Sequence, residues 1–130
     1  MKKAILTSEA PAPIGPYSQA IQAGHSLYIS GQIAIDPPTG DLITTNIEDE
    51  THQVLKNLGA ILRAAGLDYI DVVSCTVFIK DMDLFSRINE VYTSYFNEEA
   101  PPARALVQVS ALPKFVNIEI AAIAFVGPKF

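Results

Sequence analysis

The sequence predicts an α+β fold with the element order β-β-β-α-β-α-β-β, in which one mixed sheet carries both helices on one face. Two stretches, residues 46–66 and 83–96, repeat apolar residues at helical spacing. Six shorter apolar runs are bounded by turn residues, as strands are. The helices alternate with strands along a chain of 130 residues, a length that suits one domain over residues 1–130.

The composition is apolar for a small protein. Hydrophobic residues make up 49% of the chain and charged residues 18%, whereas charged residues average about 25% in soluble domains. A dense core would account for this balance, and so would apolar surface that is covered in an oligomer. We expect an oligomer.

The charge and the single cysteine restrict the class of protein. A net charge of −5 disfavours nucleic acid as a partner, because such binding depends mainly on lysine and arginine at phosphates. No window approaches the roughly 18 apolar residues of a membrane span. Cys75 is the only cysteine and cannot form an internal disulfide, which favours a reducing compartment and hence the cytoplasm.

The first predicted strand, I-L-T, leads into a loop that presents Tyr17. Three prolines and one glycine in E-A-P-A-P-I-G-P-Y exclude a helix and keep the chain extended or turning. Such a rigid loop suits Tyr17 as a binding residue, although the same side chain could simply cover the core.

A β-hairpin is predicted next, from A-I-Q-A and S-L-Y-I-S-G joined by Ala23-Gly24-His25. Ser30 and Gly31 end its second strand. A glycine at this place permits a close approach that a β-carbon would block.

The first helix is the clearest element in the sequence. Asn46 is a suitable N-cap, and the acidic residues Glu48, Asp49 and Glu50 are favourable near the positive end of the helix. Gly66 suits the position just after the helix. The apolar stripe consists of Val54, Leu55, Leu58, Ile61, Leu62 and Ala65.

The run D-V-V-S-C-T-V-F-I-K predicts an interior strand in which Cys75 acts as a small hydrophobic residue. Asp83 is expected to cap the second helix. Asn89 within this helix is either a surface amide or a ligand contact. The apolar stripe of the helix consists of Leu84, Phe85, Ile88, Val91, Tyr92, Tyr95 and Phe96.

Two charges lie inside the final apolar strands. Arg104 opens A-L-V-Q-V, and Glu119 interrupts I-E-I-A-A-I-A-F-V. Burying an ion costs several kcal/mol, so each should pair, reach water at a strand end, or await a charged ligand. Side-chain alternation, with the wholly apolar faces packed under the helices, predicts that both charges share the remaining, semi-polar face. That face is too apolar for water, so we expect a second subunit to cover it.

The last two strands are expected to meet around Leu112-Pro113-Lys114. A simple hairpin there places Glu119 opposite Gln108, roughly 13 Å along the strand from Arg104 at about 3.3 Å per residue. This distance excludes a direct ion pair in such a hairpin. Either the strands are bent or staggered, or the two residues meet through a ligand, a water molecule or a neighbouring subunit.

The chain resembles the RidA/YjgF/UK114 family of imine/enamine deaminases over nearly its whole length. The resemblance lies in A-P-x-P-I-G-P-Y-S-Q-A, in S-G-Q-I, in V-F-I-K-D-M and in the N-x-V-Y-x-x-Y-F segment that begins at Asn89. Its most specific part is P-A-R-A-L-V-Q-V-S-A-L-P followed by I-E-I. These motifs occur in order and at similar spacing.

The resemblance implies a chorismate-mutase-like fold of the bacterial trimeric type, and a homotrimer with ligand clefts between subunits. The implied reaction is hydrolysis of short 2-imino acids, in equilibrium with their enamines, to 2-oxo acids and ammonia. Dehydratases that use pyridoxal phosphate release such imines. No cofactor or metal is implied for this chain, and His25 and His52 lie apart from any cluster of potential ligands.

The resemblance also implies the site. Arg104 would bind the substrate carboxylate through its planar fork, and Glu119 would activate a water molecule and return its proton to the departing nitrogen. The residues implied in substrate binding are Tyr17, Ser30, Gly31, Asn89, Arg104, Ala105 and Leu106.

Position 106 differs from many members of the family, in which a cysteine is common. Leu106 cannot act as a nucleophile or redox switch, but the water-attack mechanism does not need a thiol. Two other functions remain open: a protein that binds 2-oxo acids without turnover, and an RNA-acting protein such as a ribonuclease or translation inhibitor. The acidic balance and the absence of a catalytic histidine pair disfavour the latter.

Overall fold

Six strands form one mixed sheet, and two helices pack on one face of it. The computed structural model describes residues 1–128. The strands are Lys2–Ile5 (β1), Ala20–Ala23 (β2), Ser26–Gln32 (β3), Val72–Ile79 (β4), Ala103–Gln108 (β5) and Ile118–Phe125 (β6). The helices are Ile47–Ala64 (α1) and Phe85–Tyr95 (α2). This order of elements confirms the prediction.

The strands lie in the order β1-β2-β3-β6-β4-β5. The final two strands therefore do not form the simple hairpin that we considered. β5 pairs with β4 in parallel, because α2 forms the crossover that a parallel pair requires. β6 then inserts between β3 and β4 and pairs with both in antiparallel orientation.

The core lies between the sheet and the two helices. On β6 the residues Ile118, Ile120, Ala122 and Ala124 are buried there, which confirms the predicted apolar face of that strand. Buried residues of α1 and α2 complete the same cluster. Glu119 alternates with these residues and points to the opposite, open face of the sheet.

The orientation of β5 is the reverse of the prediction. Arg104 lies opposite Cys75 and Leu106 lies opposite Val77, and both β4 residues are buried under the helices. Directly opposed residues of paired strands share a face, so Arg104 and Leu106 lie on the helix side. Ala105 is exposed on the open face. The two charges thus lie on opposite faces rather than on one.

The ends of α1 match the prediction. The Asn46 side chain accepts a hydrogen bond of 2.8 Å from the Asp49 N–H, and Gly66 follows the helix with a φ of 77°. The predicted cap of α2 is wrong. Leu84 is the N-cap residue of α2 and makes no side-chain capping bond, because a 3-10 turn over Met82–Leu84 precedes the helix. Asp81, not Asp83, caps that turn, by accepting a hydrogen bond from the Asp83 N–H.

Among residues 1–128, no helix has the length and apolar character needed to cross a lipid bilayer.

Candidate active site

A bulge in β3 makes room for the carboxylate of Glu119. Ile29 lies opposite Ala122 and Gln32 lies opposite Ile120, so two residues of β3, Ser30 and Gly31, face a single residue of β6. A β-carbon at position 31 would lie 2.7 Å from the Glu119 Cδ and closer still to its carboxylate oxygen. The predicted close approach at Gly31 is therefore confirmed, and the approaching group is Glu119.

Four of the predicted site residues line one cavity of about 280 Å³. Glu119 and the bulge supply its polar side, and apolar side chains supply the rest. Its walls are Ile14, Tyr17, Ser30, Gly31, Ile33, Pro113 and Glu119. A cavity of this kind, with an acid among apolar walls, is typical of small-molecule sites.

The loop before β2 holds Tyr17 at the mouth of this cavity. The Tyr17 hydroxyl accepts a hydrogen bond of 3.2 Å from the Ile14 N–H, and the Tyr17 N–H donates to the Gly15 carbonyl at 2.9 Å. Tyr17 is 45% exposed. It therefore lines the site and does not cover the core.

Gln19 anchors the same loop from below. It is 2% exposed, and its amide donates to the carbonyls of Thr7, Ala10 and Pro11 while accepting from the Thr7 N–H. These bonds satisfy a proline-rich backbone that cannot join a sheet. The sequence analysis missed this role, although Gln19 belongs to the motif A-P-x-P-I-G-P-Y-S-Q-A and its place there could have indicated it.

Ser30 ties the bulge to this loop. Its hydroxyl donates to the Ser18 carbonyl at 2.6 Å, and its N–H donates to the Gln19 carbonyl at 3.0 Å. The hydroxyl proton is engaged, so Ser30 can offer a ligand only the lone pairs of its oxygen.

Glu119 has the properties of a proton acceptor. Burial raises the pKa of its carboxyl above the ordinary value, because desolvation disfavours the charged form. Within residues 1–128 it has no ion-pair partner. A carboxylate whose pKa is raised toward neutrality is a better general base than an ordinary one.

Arg104 lies elsewhere, on β5, where α2 holds it. Its Nη1 donates a 2.7 Å hydrogen bond to the Asn89 Oδ1. Its guanidinium carbon lies 4.7 Å from the ring centroid of Tyr92 and 5.8 Å from that of Phe85. Such cation–π contacts restrict the guanidinium plane, and the donors that Asn89 does not engage can bind a carboxylate.

Ala105 and Leu106 follow on the edge strand of the sheet. The half-buried Leu106 side chain packs against the core. Within residues 1–128 the outer backbone groups of β5 have no neighbouring strand, and an edge of this kind can bind a ligand or another chain.

The predicted site residues therefore form two groups. Glu119 lies opposite Phe78 on β4, and β4 separates β6 from β5, so the strands of Glu119 and Arg104 are roughly 10 Å apart at about 4.8 Å per strand spacing. Their side chains extend from opposite faces of the sheet. The cavity holds Tyr17, Ser30, Gly31 and Glu119, and the second group holds Asn89 and Arg104.

Cys75 and the two histidines stand outside the cavity. Cys75 is 1% exposed, and burial raises the pKa of its thiol, which favours the predicted inert role. His52 contacts the Tyr95 hydroxyl at 3.0 Å. His25 contacts the Val126 carbonyl at 2.7 Å.

Several residues of the site were not predicted. Tyr92 and Phe85 were interpreted only as part of the apolar stripe of α2, and periodicity cannot show that an arginine lies over their rings. Ile14, Ile33 and Pro113 were not predicted as walls. Pro113 is the last residue of the signature segment P-A-R-A-L-V-Q-V-S-A-L-P, so its place in the motif could have indicated this role.

The comparisons with known proteins agree with this architecture. The Endoribonuclease L-PSP family matches residues 7–126. A RutC family protein of Pyrococcus horikoshii is 57% identical over 125 residues, which are 96% of this chain and 98% of that protein. The mouse protein named 2-iminobutanoate/2-iminopropanoate deaminase is 50% identical over 128 residues, which cover 98% of this chain and 94% of that protein.

A solved structure, E. coli TdcF with bound serine, superposes with a TM-score of 0.91 at 43% identity and covers 96% of this chain and 99% of that one. The two helices on a six-stranded mixed sheet are the expected chorismate-mutase-like arrangement. The chain belongs to the Endoribonuclease L-PSP family, which is the RidA/YjgF family that its motifs indicate.

Proposed function

We propose that this protein is a cofactor-independent deaminase that hydrolyses short 2-imino acids to 2-oxo acids and ammonia. The observation that carries the proposal is Glu119, a carboxylate with a raised pKa in a small, largely apolar cavity to which residues 1–128 contribute no cation. The mouse relative named 2-iminobutanoate/2-iminopropanoate deaminase supports the same activity.

Glu119 supplies the proton transfers of this reaction. The imine reacts in its protonated form. The Glu119 carboxylate takes a proton from a water molecule, whose oxygen bonds to the imine carbon while the C=N π electrons move to nitrogen, which becomes a neutral amine. The protonated Glu119 then donates to that nitrogen. The new hydroxyl releases its proton to solvent, the carbonyl forms, the C–N bond breaks, and ammonia leaves. The sum is imine plus water giving 2-oxo acid plus ammonia, and general acid–base help of this kind contributes about 10²- to 10⁴-fold.

Arg104 binds the substrate carboxylate in this proposal. Asn89 and Tyr92 orient its fork, and a bidentate pair between guanidinium and carboxylate sets the position of the imine carbon. Backbone groups of Ala105 and Leu106 on the edge strand assist. The TdcF relative contains bound serine, a small 2-amino acid whose carboxylate and nitrogen resemble those of the substrate.

A second copy of the chain completes the site. Arg104 and Glu119 lie on opposite faces with β4 between their strands, so the Arg104 that faces a given cavity comes from a neighbouring subunit. The open face supports this assembly, because Tyr28, Val73 and Val107 are 49%, 51% and 43% exposed there. A homotrimer covers that face and forms three equivalent clefts.

A ribonuclease activity, which the name of the Endoribonuclease L-PSP family suggests, fits the geometry less well. His25 and His52 are on separate elements, and each is engaged by a different neighbour. A net charge of −5 also opposes binding to phosphates.

The deaminase would act in the cytoplasm, where it removes reactive imines before they damage other proteins.

The test measures the decay of 2-iminobutanoate released in situ by a threonine dehydratase. The wild-type protein should accelerate this decay, and Arg104→Ala should abolish the acceleration. Arg87→Ala is the matched control, because Arg87 pairs with Glu48 on the surface and should be dispensable. Unchanged activity in Arg104→Ala would disprove the role of this residue.

Tight 2-oxo acid binding without acceleration of imine hydrolysis would indicate a binding protein. If the highly purified wild-type protein cleaves RNA and Arg104→Ala abolishes this cleavage, a ribonuclease function would be supported.

A further inference from the structure

Helix α1 carries two buried polar side chains that reach out of the helix. Glu50 is 0% exposed and Asn57 is 2% exposed. They are seven residues apart, which is about two turns, so they lie on the same face of α1. Each one bonds to a backbone segment that borders the cavity.

Glu50 holds the start of β6. Its Oε2 accepts hydrogen bonds from the backbone N–H groups of Asn117 at 2.7 Å and Ile118 at 3.2 Å. Its Oε1 accepts from the Asn117 side-chain amide at 2.8 Å. β3 pairs with β6 only as far as Gln32 opposite Ile120. The Glu50 carboxylate therefore serves the part of β6 that lies beyond the end of this pairing, and Glu119 is in that part.

Asn57 holds the opposite wall. Its Nδ2 donates to the carbonyls of Ile33 at 3.0 Å and Ile35 at 2.9 Å. These residues follow β3 directly, and Ile33 lines the cavity. One helix face thus secures the backbone on both sides of the site.

We propose that Glu50 is a positioning residue for Glu119, and that Asn57 positions the facing wall. This inference rests on the proposed function, because it concerns the residue that would activate water. Backbone N–H groups that lose a buried acceptor are costly, so a strand that loses Glu50 shifts until they find another. Such a shift moves Glu119, because Glu119 directly follows Ile118 in the chain.

The first test replaces the carboxylate with apolar bulk. Glu50→Met should lower kcat for imine hydrolysis by up to about a hundredfold, the cost that a displacement of about 1 Å can have. KM should change little, because Arg104 binds the substrate carboxylate from a different strand. Thr51→Val is the matched control. Thr51 is also fully buried, but its hydroxyl bonds only within the helix, to the Ile47 carbonyl, and kcat should be retained.

A charge exchange covers the case in which Glu50→Met fails to fold. Asn117→Asp places a second carboxylate against Glu50 and should lower kcat. Glu50→Gln keeps an acceptor for the backbone, and its amide can donate to the carboxylate that Asn117→Asp introduces. The double variant Glu50→Gln with Asn117→Asp should therefore recover activity that Asn117→Asp loses. Failure of the double variant to recover, or a full kcat in both Glu50→Met and Asn117→Asp, would overturn the inference.

A readout without activity separates the two proposals. The ¹³C shift of the Glu119 carboxyl should change in Asn117→Asp at constant pH, return toward the wild-type value in the double variant, and stay unchanged in Thr51→Val. If the wild type fails to hydrolyse imines, the proposed function is wrong, and this signal still decides whether Glu50 positions Glu119. An unchanged shift in Asn117→Asp would count against positioning in either case.

Discussion

The side chains of Arg104 and Glu119 extend from opposite faces of one sheet, and β4 lies between their strands. Arg104 lies against Tyr92 and Asn89 of α2, whereas Glu119 lies under the glycine of the β3 bulge. The proposed site, which uses both residues, would therefore form between two chains.

Subunit mixing tests this arrangement. Arg104→Ala and Glu119→Gln should each be inactive, but co-refolding equal amounts should restore activity at about one quarter of the sites, as random pairing in a closed ring requires. A site that combines one chain's Arg104 with another's Glu119 is intact in such a mixture. The measurement is imine hydrolysis per site.

Its control mixes Glu119→Gln with Gly31→Ala. Both changes affect the same half-site, so no combination of these subunits is intact. Recovery in this control, or none in the first mixture, would contradict an intersubunit site.

Glu119→Gln should stabilise the protein at neutral pH. The pKa of Glu119 is raised by burial from its ordinary value of 4.5, so the folded wild type loses stability as pH rises through the folded pKa. Glutamine does not titrate. The melting temperature of the variant should exceed that of the wild type at pH 7, and the difference should vanish below about pH 4.5. The gain should be small, because the carboxyl is only partly buried.

Glu48→Gln is a control of opposite sign. Arg87 lowers the pKa of Glu48 to about 2 through hydrogen bonds of 2.7 Å. The wild type should therefore be the more stable protein above pH 4.5, and the difference should disappear as pH falls toward 2. The same sign for both variants would show that burial does not set the pKa of Glu119.

The pH profile of imine hydrolysis tests the same pKa. Because burial raises the pKa of Glu119 above 4.5, the acid limb of the kcat/KM profile should have its midpoint above pH 4.5.

Gly31→Ala should abolish most activity. The added β-carbon would overlap the Glu119 carboxylate, and a displacement of about 1 Å costs on the order of a hundredfold in rate. Gly15→Ala is the comparison, because its β-carbon would meet the Tyr17 ring at 3.4 Å, an ordinary contact. Comparable kcat values for the two alanine variants would refute the requirement for glycine at position 31.

Tyr92 should support Arg104 through its ring and not through its hydroxyl. Among residues 1–128 no hydrogen bond of standard geometry engages the buried hydroxyl oxygen, and burial together with the interaction with the Cys75 thiol raises its pKa. Tyr92→Phe should keep full activity and add up to about 1 kcal/mol of stability. Tyr92→Leu removes a cation–π contact worth about 0.5–2 kcal/mol. Its KM should therefore rise about two- to thirtyfold.

The two Tyr92 variants are read by KM and by the melting temperature. A loss of activity in Tyr92→Phe equal to that in Tyr92→Leu would mean that the hydroxyl acts in the reaction. An unchanged KM in Tyr92→Leu would mean that Asn89 and Phe85 orient the guanidinium without Tyr92.

Local patterns in the sequence predicted the number and order of the helices and strands, but the first strand was misplaced, because β1 covers Lys2–Ile5 and shares only Ile5 with the predicted I-L-T. Asn46 and Gly66 delimit α1 through capping chemistry, which depends on only a few neighbouring residues. The need for glycine at position 31 was also visible, as were the charges at 104 and 119. The start of α2 was less predictable, because a 3-10 turn capped by Asp81 precedes it and α2 itself begins after Leu84 without a side-chain cap.

The sequence by itself determined which residues of each strand share a face, because side chains alternate along every strand. Only the tertiary structure decided which face of β5 turns to the helices. The choice depends on pairing with β4, which sets Arg104 beside Cys75, and on the ring and amide that α2 offers to the guanidinium. The insertion of β6 between β3 and β4 was decided in the same way, since long-range pairing leaves no local pattern. These two choices place Arg104 and Glu119 on opposite faces of the sheet.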